Sequence, residues 1–340
     1  MSEIELQDAI LRLALELQRL SGHEEAEAEA ILRELERDLK MLLQSQTLSD
    51  AGKREIEELV REAEAAINAR YATVSTIVDT HGLVVLVSEH TLEALQTIGA
   101  ARAVTAETLA SLSKKVLIDG APSKAWWDKQ AEDTAFKFAA QVRQGVINGE
   151  TNERIVARIA GRSAESGIMD VARRNARALV HSSVMAAAND ARLATFRRNS
   201  RLIAGVRWLA TLDGHVCPRC AALDGQSWDL DGNKLKGTKV EFQAPPIHWN
   251  DRCVLSPIPK SFRDLGIPLD EPGEAGERAS SMGPLHGATT FQDFLKRQSP
   301  AFIERVLGKE RARLFMEGKI TVRDLVSGTG RELTLEELRR

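Results

Sequence analysis

Several things are scarce in this chain of 340 residues, and each scarcity excludes something. Cysteine occurs 3 times, tyrosine once, and the aromatics together make up 4%. Three thiols cannot all pair within one chain, so no disulfide framework holds this protein together. Proline occurs ten times, but only Pro122 and Pro218 precede residue 245. Long helices are therefore open to the first 200 residues and closed to the stretch from 245 to 300. No apolar run approaches the roughly 20 residues that cross a bilayer. The opening "MSEIELQDAILRLALELQRL" is acidic and amphipathic, unlike a secretory signal, and predicts a chain made and kept in the cytosol. A formal charge of −3 gives no global argument for a polyanionic partner, so any nucleic-acid contact must be local.

What is present favours helix. The chain is 43% apolar and 28% charged, as soluble globular proteins are, with room for two domains or one large one. Leu, Ala, Glu and Arg dominate, and these side chains lose little rotamer freedom in a helix. Ile10, Leu13, Leu17 and Leu20 repeat at helical spacing. "SGHE" then reads as the end of one helix and the start of the next, with Ser21 and Glu24 placed as a capping box, which predicts a helical hairpin. Ile31, Leu35, Leu39 and Leu42 continue the pattern, and "TLSDAGK" marks a turn before a helix carrying Ile56, Leu59, Val60, Ala63 and Ile67. Residues 1 to 70 hold 17 Asp and Glu against 9 Lys and Arg, about −8. That is either a solvated helix surface or an arm that docks on a basic partner. "HGLVVLVSEH", with Val85 and Val87, fits a short strand or a buried helical segment equally well.

Pro122 can start a new element after "IDGA", and Trp126-Trp127 offers a large apolar anchor. The next helix places Phe138, Val142 and the Val146-Ile147 step on one face and ends at Gly149, after which Thr151 can cap "NERIVARIAG". From about 167 to 199 runs a longer, basic helix with Arg173, Arg174, Arg177, Arg192, Arg197 and Arg198 against Asp170 and Asp190. Its charges either pair with the acidic helices or present a surface to phosphate or an acidic protein. The absence of interleaved exposed aromatics argues against stacking on single strands.

The chemistry gathers after residue 200. "LIAGVRWLATLDGHVCPRC" reads as a strand, a Leu212-Asp213-Gly214 turn and a C-x-x-C pair. "GQSWDLDGNKLKG" supplies a further strand and an Asp231-Gly232 turn, and "VEFQAPPIHWNDRCVLSPIP" a loop and a last strand through Val254-Leu255. Zn²⁺ takes four ligands in a tetrahedron, and two cysteines two residues apart can both reach one ion. Cys217 and Cys220 have that spacing, and His248 and Cys253 complete the pattern C-x2-C-x27-H-x4-C. Three sulfurs and one imidazole close the shell, which describes a structural Zn²⁺ site with no open position for water. The alternatives are unmetallated thiols and a redox pair. A thioredoxin-like use is weakened because the motif sits in a hairpin context rather than at the start of a helix. His215 reads as an exposed turn residue, and Asp213 and Asp224, each followed by Gly, as turn formers. The expected fold is mainly α with a small β-rich, zinc-ribbon-like insertion (α+β), a helical N-terminal half and short helices at the C-terminus.

The run "WLATLDGHVCPRCAALDGQSW" followed by "PPIHWNDRC" resembles the phage head morphogenesis family typified by the minor head protein F of phage Mu. "FAAQVRQGVINGETNERIVARI", "ARALVHSSVMAAANDAR" and "FQDFLKRQSPAFIERVLGKERARLFMEGKITVRDLV" extend the resemblance over about residues 130 to 327. Many members read His-Pro-x-Cys-Arg-Cys where this chain has His248-Trp249-Asn250-Asp251-Arg252-Cys253. Asp251 thus stands in place of a cysteine, as an alternative oxygen ligand or as a cap for the turn. The resemblance implies a non-enzymatic virion component, inside the phage head and in the host cytoplasm during assembly. It would act in head morphogenesis near the portal and in packaging or ejection of DNA. Portal, capsid or scaffold proteins would be its partners, with portal or packaged DNA met through Arg173, Arg177, Arg192, Arg197 and Arg198.

Four regions are expected. They are an acidic helical N-terminal region (1–120), the helical part of the head-morphogenesis domain (121–200), the β-rich zinc-binding unit (201–262), and a Pro/Gly-rich linker with C-terminal helices (263–340). The alternative function is a zinc-stapled phage nuclease or other DNA-processing enzyme. It needs a second metal, for which His215, His248 and Asn250 are the nearby candidates. No Gly-rich phosphate loop or triad spacing appears elsewhere; "SGTGRELTLEEL" reads as a loop capped into a last short helix.

Overall fold

The computed structural model describes residues 2–45, 48, 52–161, 165–270 and 276–339. Seven helices come first: α1 (Glu3–Gln44), α2 (Lys53–Val74), α3 (Thr80–Gln96), α4 (Ala106–Ser113), α5 (Ser123–Ile147), α6 (Asn152–Ala160) and α7 (Ile168–Arg198). Then follow β1 (Ile203–Leu209), α8 (Pro218–Leu223), β2 (Ser227–Asp229), β3 (Val254–Pro259), the two-residue strands β4 (Glu277–Arg278) and β5 (Leu285–His286), and the short helices α9 (Phe291–Leu295), α10 (Pro300–Leu307), α11 (Lys309–Met316) and α12 (Leu335–Leu338). The protein is mainly α with a small β-rich insertion, as composition and proline placement predict. The chain divides into two compact units: Gln18–Thr80 with Lys115–Ala186, and Met1–Leu17 with His81–Lys114 and Ala187–Arg340.

The first of these, the helical unit, is built on apolar faces at 3.6-residue spacing. Leu32, Leu35, Leu39 and Leu43 of α1 are fully buried, as are Ala63 and Ile67 of α2. Helices α2 and α5 pack together. Between them Tyr71 meets Trp127 at a ring separation of 6.3 Å and hydrogen-bonds Thr134 Oγ1 at 3.0 Å. Of the two adjacent tryptophans, Trp127 is the buried anchor, while Trp126 donates its indole N–H to the Ile118 carbonyl. Glu57 receives both arms of the Arg143 guanidinium, and Glu34 and Asp38 receive those of Arg70.

Two expectations for this unit are corrected. "SGHE" does not break a helix: α1 passes through it without interruption. A single glycine in a helix costs about 1 kcal/mol relative to alanine, too little to end one whose flanking faces are buried. Ser21 does not cap; its hydroxyl donates to Glu25 Oε1 at 3.0 Å and meets His181 Nδ1 at 3.3 Å. The second correction concerns α5, where Phe138 and Val142 are buried but Ile147 is 78% exposed. The buried face continues at position 145, three residues after 142, and there a glycine is required. A Cβ on Gly145 would lie 2.5 Å from the Ile155 side chain, so its absence lets α6 approach. Thr151 is the residue before α6 and Thr47, Ser49, Asp50 and Ala51 of the proposed "TLSDAGK" turn lie outside the described residues. Helix α2 begins after Gly52, with the expected apolar set buried.

The second, mixed unit contains the sheet. "HGLVVLVSEH" belongs to helix α3, with Leu83, Val84 and Val87 buried. An antiparallel sheet of order β2-β1-β3 has β1 at its centre, with Val206 opposite Trp228 and Trp208 opposite Leu255. Gly205 is required in β1, because a Cβ there would come within 2.2 Å of the Trp228 carbonyl oxygen. Trp208 and Trp228 are fully buried, and Trp228 donates its indole N–H to the Val240 carbonyl at 2.9 Å. Phe291, Phe294 and Leu295 of α9 are also fully buried. The last helix, α12, is capped by Thr334 and Glu337, as "TLEEL" predicts.

Asp224 does more than form a turn. It is buried in an ion pair with Arg278, Oδ1 to Nη2 at 2.6 Å, and accepts the backbone N–H groups of Ala210 and Phe291. One carboxylate thereby ties the end of β1, the end of α8, β4 and the start of α9 together.

Candidate metal centre

The cysteine cluster rests on three local features. Cys217 is the N-cap of α8, with Pro218 at the first helical position, where a missing N–H is harmless and φ is already set. The Cys217 sulfur accepts the Cys220 N–H at 3.3 Å, which folds the two side chains to one side. This corrects the hairpin setting expected for C-x-x-C: the pair opens a helix, though a six-residue one beside an antiparallel sheet. The third feature is the loop before β3. There Asp251, buried, accepts the Ile247 N–H on Oδ2 and the Cys253 N–H on Oδ1, both at 2.9 Å. Its carboxylate closes the loop that carries both His248 and Cys253.

These features bring the four predicted donors together as two overlapping groups. Cys217, Cys220 and His248 form one, and Cys220, Asp251 and Cys253 the other, with donor atoms inside each group within 4.8 Å of one another. His248 Nε2 lies 3.3 Å from the Cys217 sulfur and 3.0 Å from that of Cys220. Ligands bound at about 2.0 to 2.3 Å on a tetrahedron stand about 3.3 to 3.8 Å apart; the Cys217 distance meets that spacing and the Cys220 distance falls just short of it. His248 is also oriented for ligation. Its Nδ1–H donates to the Trp249 carbonyl at 2.8 Å, which leaves the Nε2 lone pair facing the sulfurs. Cys220 Sγ lies 3.7 Å from Asp251 Oδ1. That oxygen is already engaged by the Cys253 N–H, so the cap role of Asp251 is occupied in this structure.

The electrostatics match a site prepared for a cation. The Cys217 thiol is pushed down to about 4, because Cys220 and then His248 hydrogen-bond its sulfur. His248 is raised to about 9, first by its bond to Cys217. Burial pushes Cys253 up to about 12, and Cys220 is raised by its Cys217 and Cys253 partners and by burial. A proton shared in a nest of sulfurs sits where a metal ion would replace it, and binding one releases protons. The residues can hold a metal ion.

Residues 137–256 match the family model described as Phage Mu protein F like protein. The chain carries a Phage Mu F-like region. It spans about a third of the 340 residues and includes Cys217, Cys220, His248 and Cys253. The matched region contains "WLATLDGHVCPRC" and "PPIHWNDRC", the motifs that carry the resemblance; the segment from "FQDFL" onward lies outside it. No curated protein and no solved structure matches the chain. No described helix is long and apolar enough to cross a membrane.

Within the Phage Mu F-like region, the arginines of the basic helix α7 are placed unevenly. Arg173 is ion-paired to Glu36 and Asp170, and Arg177 to Glu25. These pairs realise the acidic-helix partnership, one of the two readings of the charges in this stretch. Arg197 and Arg198 are exposed, donating to the Leu230 and Ala103 carbonyls. Arg192 is corrected: it is fully buried, so it offers no surface to DNA or portal. It faces inward because Ala188, Ala191 and Thr195 around it on α7 belong to the buried side. His215 is exposed and belongs to neither donor group. Two residues escaped sequence reasoning. Asn189 donates to the Cys253 carbonyl at 3.2 Å, and Arg278 pairs with Asp224. Neither carries a spacing signal, since each meets its partner across more than 50 residues of chain.

Proposed function

We infer that the protein is a minor structural component of a phage head, and that Cys217, Cys220, His248 and Cys253 bind Zn²⁺ as a structural staple of the mixed unit. The family match over residues 137–256 carries the head assignment. Support for zinc comes from the donor set: three sulfurs and one imidazole suit a borderline-soft ion with tetrahedral preference. A metal bound there offsets short strands and loops that bury little on their own, by contributing binding free energy to folding.

In this reading the protein sits inside the head near the portal, acts in assembly and in packaging or ejection of DNA, and catalyses no reaction. Of the residues expected to meet portal or DNA, Arg177, Arg197 and Arg198 are exposed and are the contacts proposed here.

The test is a phage in which this gene is disrupted. Purified wild-type heads should contain the protein by mass spectrometry, and the disrupted phage should yield heads that are missing, empty or non-infectious. Normal infectious particles without the protein would end the reading. Charge reversal at Arg177, Arg197 and Arg198 should reduce retention of portal protein or of DNA at low salt; unchanged retention of both would remove this contact surface. Elemental analysis should find one zinc per chain.

A further inference from the structure

Arg192 lies at 0% exposure, yet its Nε and Nη2 have no hydrogen-bond partner among the described residues. Its Nη1 donates to Asn189 Oδ1 at 3.3 Å, one turn earlier on α7. Asn189 in turn donates through Nδ2 to the Cys253 carbonyl at 3.2 Å. A single amide therefore links a buried guanidinium to the backbone of a residue inside the sulfur cluster.

A guanidinium removed from water is strongly unfavourable unless an opposite charge lies near it. Of the cations on the segments that carry the donors, Arg252 is held bidentately by Asp213, and Arg219, half-buried, spends Nη1 and Nη2 on the Ile247 carbonyl and Gln243 and leaves only Nε without a partner. Among the described residues Arg192 has no carboxylate partner, and unlike Arg219 it is fully buried. A divalent ion held by three thiolates and one neutral imidazole carries a net charge of −1. In a low-dielectric interior that charge acts over more than a contact distance.

We propose that Arg192 is the counter-charge of the Cys217, Cys220, His248 and Cys253 centre, and that with Asn189 it positions Cys253 for the metal. The proposal rests on the zinc reading of that centre. Arg192 is a positioning residue and not a ligand. The guanidinium stabilises the metal-bound, anionic form of the cluster. Without metal the same guanidinium is a buried charge lacking compensation.

Opposite effects on the loaded and stripped protein follow, and a packing role does not produce them. Arg192→Met keeps length and apolar volume and removes the charge; Arg192→Lys keeps the charge. Zn²⁺ affinity is measured on the full chain by competition with a chromophoric chelator, and the thermal midpoint is measured after the metal is stripped. Arg192→Met should weaken Zn²⁺ binding about 10- to 100-fold, as loss of residues that orient metal ligands does. The stripped variant should melt at or above the temperature of stripped wild type, and Arg192→Lys should recover affinity to within a few-fold. Wild-type affinity in Arg192→Met, or equal loss of stability with and without metal, overturns the proposal. If Arg192→Met does not fold, Asn189→Ala carries the test, with weakened Zn²⁺ binding expected and unchanged binding overturning it. A wild-type chain that takes up no Zn²⁺ ends the zinc reading and this proposal together. That result is distinct from unchanged affinity, which ends the role of Arg192 alone.

Discussion

The helical unit and the mixed unit are stabilised in different ways. In the helical unit long amphipathic helices bury rows of leucine and leave their charges at the rim, as in the Arg70 pairs with Glu34 and Asp38. In the mixed unit, from residue 203 onward, strands of two to seven residues and short helices alternate with loops, and charged or polar groups are buried to join them. Asp224 with Arg278, Asp251 in its loop and the cysteine cluster are such joints. Where regular elements are too short to bury a continuous face, a few strong polar contacts take over, and each of them matters more than a single surface pair.

The largest effect that would break this comparison lies at the cluster. Cys217→Ser or Cys253→Ser, or removal of metal by a chelator, should abolish zinc content. Hydrogen exchange should rise across residues 205 to 260 while α2 and α5 stay protected. In small zinc domains such a loss is on the order of 10 kcal/mol. Unchanged zinc in both variants would remove the assignment.

Next comes Asp224→Ala, which leaves the Arg278 guanidinium buried and unpaired. It should cost about 3–5 kcal/mol by denaturant unfolding. A cost below about 1 kcal/mol would mean that water replaces the pair. In the helical unit, Leu35→Ala opens a cavity at a fully buried position and should cost about 2–5 kcal/mol, read in the same way.

Asp190 sharpens the comparison through pH. Burial raises its carboxyl from 3.8 to about 6, against the lowering influence of Arg197. The folded state thus holds this proton more tightly than the unfolded state. Its contribution is fully present below about pH 4 and is lost as pH rises through about 6. Asp190→Asn should therefore raise the thermal midpoint at pH 7 to 8, by up to about 2 kcal/mol of stability, and change it little at pH 4. Equal effects at both pH values would contradict this. The smallest effect is expected at the helical unit's rim. Arg70→Ala, at a half-exposed pair screened by solvent, should cost less than about 1 kcal/mol and less still in high salt.

The legibility of the chain followed the same division. Apolar spacing predicted the buried face of α2 and, in α1, Ile10, Leu13, Leu17, Leu35 and Leu39, while Leu20 is exposed and Leu32 and Leu43 take the buried places expected for Ile31 and Leu42; proline placement predicted where long helices stop. The spacing of Cys217, Cys220, His248 and Cys253 predicted the donor cluster, because C-x-x-C is a local geometry and the remaining pair lies in one short loop. Reasoning from local signals failed where a partner was distant. Ser21 looks like a cap until His181 is beside it. Gly145 is invisible on a helical wheel until Ile155 packs over it. Arg192 is one of several arginines on α7, and nothing in its neighbours marks it as the one without solvent.

By itself the sequence determined the helical class, the position of the small sheet, the donor types at the cluster and the motif that matches the Phage Mu F-like family. Each of these depends on residues close together in the chain, whose geometry a helix, a turn or a knuckle sets locally. Only the tertiary structure decided that α1 runs unbroken, that Asp251 closes its loop, that Asp224 meets Arg278 and that Arg192 is buried beside Asn189. Those outcomes depend on which surfaces meet. Burial converts an ordinary polar side chain into an unfavourable charge or a strong bond according to the partner it finds.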